Sequence, residues 1–196
     1  MSKGYILPVL VFVMMMVCTP ESNGIAASRS LGNTTPKKHI TYCEITGGYQ
    51  WGVAKGSEHS TREAVACGYQ LHGPLFLQTE AGHCHFKLKD ASSRTQADGV
   101  IINFLLRWHV VDSRYLTFFT EGGIGVVSCN RNIPSEGMET NTAPQAGVGV
   151  IIPLWHQTRF VLGGRYVHLS HGLWKPHINN PGFNSAGLYA GLHILF

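Results

Sequence analysis

Charged residues are scarce. Lys and Arg number 15 and Asp and Glu 11 in 196 residues, 13% of the chain. A net charge of +4 with no basic cluster offers no footprint for nucleic acid. The cysteines at 43, 67, 84 and 129 have no CxxC spacing, which argues against a zinc site. The 11 histidines are plentiful but show no metal-ligand spacing, so neither a metal nor a cofactor is expected. Beyond residue 27 there is no apolar run of roughly 20 residues, the length a membrane helix requires, and the mean hydropathy is only +0.03. A convincing amphipathic helix is missing as well.

What remains is glycine, 23 residues of it, and alternation. The first 27 residues read as an export signal: Lys3 supplies the positive end, Tyr5 to Val17 the apolar run, and Ala27 a cleavage point. Met15-Met16-Val17-Cys18 makes a poor lipobox. Removing the signal leaves Cys43, Cys67, Cys84 and Cys129, which allow three disulfide pairings that the sequence does not choose between. Residues 28–38 are polar and form a flexible lead-in. From there to residue 196 the pattern predicts eight extended segments, near 40–54, 64–72, 74–86, 98–110, 114–128, 143–153, 157–170 and 184–196.

Side chains alternate across a strand with a period of two. In the fourth segment Val100, Ile102, Phe104, Leu106, Trp108 and Val110 share one face, and Ile101, Asn103, Leu105, Arg107 and His109 the other. The fifth to eighth segments repeat this division into a greasy face and one mixing glycine with Gln, Glu and Arg. Glu80, Glu121, Arg107 and Arg165 fall on the mixed face. A soluble sandwich would wet that face, where glycine only weakens the strand. A small closed barrel would fill its interior with it, glycine making room for paired charges. The links alternate long and short, as in outer-membrane barrels with short periplasmic turns and an even strand count. Phe196 closes an apolar strand like the terminal aromatic of such barrels. Trp51, Trp108, Tyr166 and Trp174 suit an interfacial aromatic girdle. The expected fold is therefore an all-β, eight-stranded antiparallel outer-membrane barrel, with a secreted lipid-binding β-domain as the rival.

In the segment ending at residue 170, Phe160, Leu162, Gly164, Tyr166, His168 and Ser170 share the greasy face. A serine hydroxyl is a weak nucleophile until a neighbouring base takes its proton and a third group orients that base. The i, i+2 pair His168 and Ser170 provides alcohol and imidazole, and Asn184, at the start of the next strand, is placed to hold the ring. Polar groups on a lipid-facing stripe are costly, which makes the pair unusual unless it is used or stands above the membrane.

His168-Leu-Ser170 followed by Asn180-Pro-Gly182-x-Asn184 resembles the lipid A 3-O-deacylase (PagL-like) and acyloxyacyl-hydrolase-related family. GGYQWG at 47–52, GPLFLQTE at 73–80, FFTEGGIGV at 118–126 and QAGVGV at 145–150 add to the likeness, which spans about 40–196. The resemblance implies an eight-stranded barrel of the bacterial outer membrane. It also implies a serine esterase that removes an ester-linked acyl chain from lipid A, with lipopolysaccharide and outer-membrane lipid as its partners. The oligomeric state is left open. Ser170 would be the nucleophile and His168 the general base. Asn180, with the backbone of His171, would stabilise the oxyanion, a contribution of about 3–4 kcal/mol per donor. Two positions depart from the family: His171 replaces an asparagine and Asn184 a glutamate, and no Asp or Glu follows Ser170. Asparagine can orient an imidazole but cannot stabilise imidazolium by charge. Retention of the fold with loss of turnover is the alternative that follows. Lys175, His171 and His177 lie in the same outer link, a solvated surface or a contact for lipid A phosphates.

Overall fold

The computed structural model describes residues 40–53, 58–89, 94–134, 137–170 and 182–196. The signal segment and the lead-in lie outside these. The described chain is all β: β1 Thr41–Gly52, β2 His59–His72, β3 Leu75–Lys89, β4 Arg94–Asp112, β5 Thr117–Ile133, β6 Met138–Thr142, β7 Gln145–Trp155, β8 Thr158–Leu169 and β9 Phe183–Leu195. Each strand pairs antiparallel with its neighbours, and β1 pairs with β9, closing the ring. Closure of the ring leaves the spanning strands without a free edge and so satisfies their backbone inside a bilayer.

The ring has eight walls because β6 and β7 occupy one. Both pair with β5, separated by Ala143 and Pro144, where proline cannot donate to the ladder. The long link expected at 129–142 is mostly ladder instead: β5 runs on to Ile133 and β6 turns back at Met138. Several other strands also run further than their apolar stretch, β4 to Arg94 and Asp112 for example. Alternating hydropathy marks only the part of a strand facing lipid, whereas hydrogen bonding carries the ladder beyond it.

The greasy stripes face outward. Ile45, Ile102, Phe104, Leu106, Ile124, Val148, Leu162 and Leu188 are all exposed, forming a lipid-facing belt. This arrangement removes the soluble rival. The inside is layered. At the end opposite the termini, Phe86, Leu88, Ile101, Val127, Val167, Leu169 and Phe183 pack into an apolar layer. Towards the termini, Phe119, Ile151 and Val161 form a second one with Tyr189.

Between them lies an ionic layer. Arg107 bonds Glu44 and Glu121, and Arg165 bonds Glu80 and Glu121. Arg62 pairs with Glu80, and His193 Nδ1 lies 2.8 Å from Glu44. The expected pairing of Glu80 and Glu121 with Arg107 and Arg165 is present, and Glu44, Arg62 and His193 enlarge it. Arg107 and Arg165 also lie over the rings of Phe119 and Tyr189, at 4.1 and 4.8 Å. Inward glycines make the space: a Cβ on Gly163 would enter the Tyr189 ring, and one on Gly68 the Tyr42 ring. The cavity left beside Gln50, Arg62, Glu80 and Arg165 is about 20 Å³, room for about one water. Between its ends the lumen is packed, while a cavity of about 210 Å³ opens towards the termini beside Tyr42, Phe76, His109 and His193.

Candidate active site

Burial of the inner face sets the site on the outer one. Val167 and Leu169 are buried in the apolar layer, so the period of two turns Tyr166, His168 and Ser170 outward. Phe183 and Ser185 are buried likewise, which turns Asn184 outward. The β8–β9 register then sets His168 directly opposite Asn184. His168 Nδ1 lies 2.6 Å from Asn184 Oδ1. With that oxygen as acceptor the ring carries its proton on Nδ1, and Nε2 is left as the basic nitrogen.

Tyr166, expected only as a girdle aromatic, has a second contact. Its hydroxyl donates to the same Asn184 Oδ1 at 2.8 Å. Two donors converging on one oxygen hold the amide with its oxygen towards the imidazole. The sequence carried a signal for this residue, since Tyr166 stands two positions before His168 on the same stripe. Trp51 and Trp108 are exposed near opposite ends of the barrel, and Trp174 lies outside the described residues.

Ser170 is held from the other side. Its backbone bridges Thr142, with Thr142 N donating to Ser170 O at 2.7 Å and Ser170 N to Thr142 O at 3.1 Å. Thr142 Oγ1 donates to the same Ser170 carbonyl at 2.9 Å and stands 3.4 Å from Ser170 Oγ. Among the described residues the hydroxyl has Thr142 as its hydrogen-bond neighbour, not His168. The two expected chemical groups therefore share a face, but no hydrogen bond joins them. Thr142 left no trace in the sequence pattern, because its place beside Ser170 depends on β6.

Gly182, within the motif that leads to Asn184, sits against His168. Its φ is +68°, a region open to glycine. A Cβ there would stand 3.2 Å from His168 Cε1 and from Leu169 O. Asn180, His171, Lys175 and His177 lie outside the described residues, as does any oxyanion contact they make. No group of three or more His, Cys, Asp or Glu suited to a metal occurs among the described residues.

The fold defines a class, the small closed barrels of the bacterial outer membrane. Within it, residues 63–193 match the profile of the lipid A 3-O-deacylase (PagL) family, and the chain belongs to that family. It is similar in fold to the outer-membrane enzyme PagL, with a TM-score of 0.61 and 15% identity over 77% of this chain and 98% of that one. Neisserial surface protein A gives 0.56 at 14% identity, covering 81% and 97%. The N-terminal barrel domain of Pseudomonas aeruginosa OprF gives 0.50 at 18% identity, covering 80% and 97%. Among curated proteins none matches significantly. Family and fold together place the chain in the bacterial outer membrane.

Proposed function

We propose that this protein is a serine esterase that removes an ester-linked acyl chain from lipid A in the outer membrane, in the manner of a 3-O-deacylase. The observation that carries this reading is the His168–Asn184 contact on the lipid-facing wall, with Ser170 two residues along the same face. Lipid A lies sideways to such a wall, so its ester meets the side chains without entering the barrel.

In the proposed reaction, Ser170 Oγ turns from Thr142 towards His168. Nε2 takes the hydroxyl proton as the oxygen attacks the acyl carbonyl. Asn184 Oδ1 holds the Nδ1 proton and keeps the ring in plane. The proton on Nε2 then passes to the sugar oxygen, which leaves, and the acyl group stays on Ser170. Water, activated by the same nitrogen, releases the fatty acid. Asn180 and the His171 backbone are the proposed oxyanion donors. No metal or cofactor enters any step.

Asn184 brings no negative charge to the imidazolium. Replacing a triad aspartate by asparagine in a serine protease lowers kcat about 10⁴-fold, largely through the wrong tautomer. Here Tyr166 biases the Asn184 amide to present its oxygen, which favours the productive tautomer of His168, so part of that loss is avoided. The second reading, a family barrel without turnover, draws support from the same substitution and from the Ser170 hydroxyl resting against Thr142. Mass spectrometry of lipid A from cells making wild type or Ser170→Ala separates them. Esterase activity predicts loss of one acyl chain with wild type alone; identical lipid A in both, with both barrels folded, favours the second reading.

A further inference from the structure

The barrel wall divides the cysteines of the described strands. Cys43 and Cys67 are direct partners in the β1–β2 ladder. Tyr42 and Glu44 are buried inside, so alternation puts Cys43, itself covered, on the outer side with Ile45, and Cys67, half-buried, on the same side. Their sulfurs stand 3.1 Å apart. Cys84 and Cys129 point inward, into the apolar layer. They belong to β3 and β5, each opposite Gly99 on the intervening β4.

This division decides among the three pairings. Two of them join an inside sulfur to an outside one and would have to pass through the hydrogen-bonded wall. The third joins Cys43 to Cys67 and Cys84 to Cys129. Its first half bridges one ladder pair, with Cα atoms about 4.5–5.5 Å apart, inside the range of a disulfide. Its second half crosses two strand spacings, about 9–10 Å, beyond the roughly 7 Å that a disulfide can span. Gly99 seats the Cys129 sulfur by packing: a Cβ there would collide with it.

We propose that Cys43 and Cys67 are joined as a disulfide in the outer-membrane protein, while Cys84 and Cys129 remain thiols. The oxidant is the disulfide of a periplasmic thiol oxidoreductase, in the compartment every outer-membrane protein crosses. One cysteine thiolate attacks that disulfide and releases one of its sulfurs as a thiol. The second cysteine then attacks the mixed disulfide and releases the other. Two electrons and two protons pass to the oxidant, and one S–S bond joins β1 to β2. The link lies near the start of β1, the strand that must also zip to β9 to close the ring. It holds the β1–β2 register while that last seam forms, and it restricts the unfolded chain.

Protein extracted from outer membranes is denatured with an alkylating reagent and no reductant, then mapped by peptide mass spectrometry. Cys84 and Cys129 should be alkylated and Cys43 and Cys67 protected; prior reduction should open all four. Alkylation of all four without reductant, or a linked Cys84–Cys129 peptide, overturns the proposal. As a second measure, reductant should lower the temperature at which the wild-type barrel loses its compact gel mobility. It should leave that of the Cys43→Ser/Cys67→Ser variant unchanged. An equal response of the two proteins would remove the stabilising role, and the peptide map decides the linkage even if the variant does not fold.

Discussion

The barrel places polar groups on both faces of its wall and treats them differently. Inside, three guanidinium groups, Arg62, Arg107 and Arg165, meet three carboxylates, Glu44, Glu80 and Glu121, with His193 added. Arg107 is 0% exposed and bonds two different carboxylates. Outside, His168, Asn184 and Tyr166 share one neutral oxygen, and Ser170 stands apart from them. Charge buried without partners costs several kcal/mol per ion, so the buried carboxylates and guanidinium groups must be paired for the barrel to form. A group at the rim of the bilayer meets no such demand and can remain partly unmatched for a substrate. The interior is built for stability, and the exterior is the place where chemistry can be sought.

The sharpest way to test this contrast is Ser170→Ala. Loss of a serine nucleophile costs on the order of 10⁶ in kcat, so deacylation of lipid A should vanish. Heat-modified gel mobility should be unchanged, since a surface substitution typically shifts stability by less than about 0.5 kcal/mol. A Ser170→Ala protein that still trims lipid A would move the chemistry elsewhere. Asn184→Glu works in the opposite direction, restoring a carboxylate beside His168 Nδ1. Activity should rise, with about 10⁴-fold in kcat as the ceiling set by triad aspartates; an unaltered rate in lipid A assays would mean that another group orients the ring.

Arg107→Met probes the inner face. It leaves Glu44 and Glu121 short of their shared cation and should cost about 3–5 kcal/mol of stability. Urea unfolding in detergent micelles would read this, and a loss below 1 kcal/mol would mean that the network relaxes around the gap. Tyr166→Phe should have the smallest effect. One hydrogen bond to Asn184 is lost, worth about 0.5–1.5 kcal/mol, so kcat should fall up to about tenfold while KM holds. The fall should shrink in an Asn184→Glu background, where the amide can no longer flip; equal falls in both backgrounds would give Tyr166 a packing role only.

Alternation alone determined a good deal about this protein. It divided the clearly alternating strands into a lipid face and a lumen face, and it put Glu80, Glu121, Arg107 and Arg165 inside and His168 and Ser170 outside. The local motif around residues 168–184 carried the family. This was legible because the period of two is a property of each strand by itself. Tertiary structure decided what depends on register between distant segments: Glu44 beneath Arg107, 63 residues away, Thr142 beside Ser170 across a strand that hydropathy did not mark, and Cys43 sharing a side of the wall with Cys67 but not with Cys84. Such neighbours exist only once the ladder is set and the ring closed, and no local periodicity encodes which rung meets which.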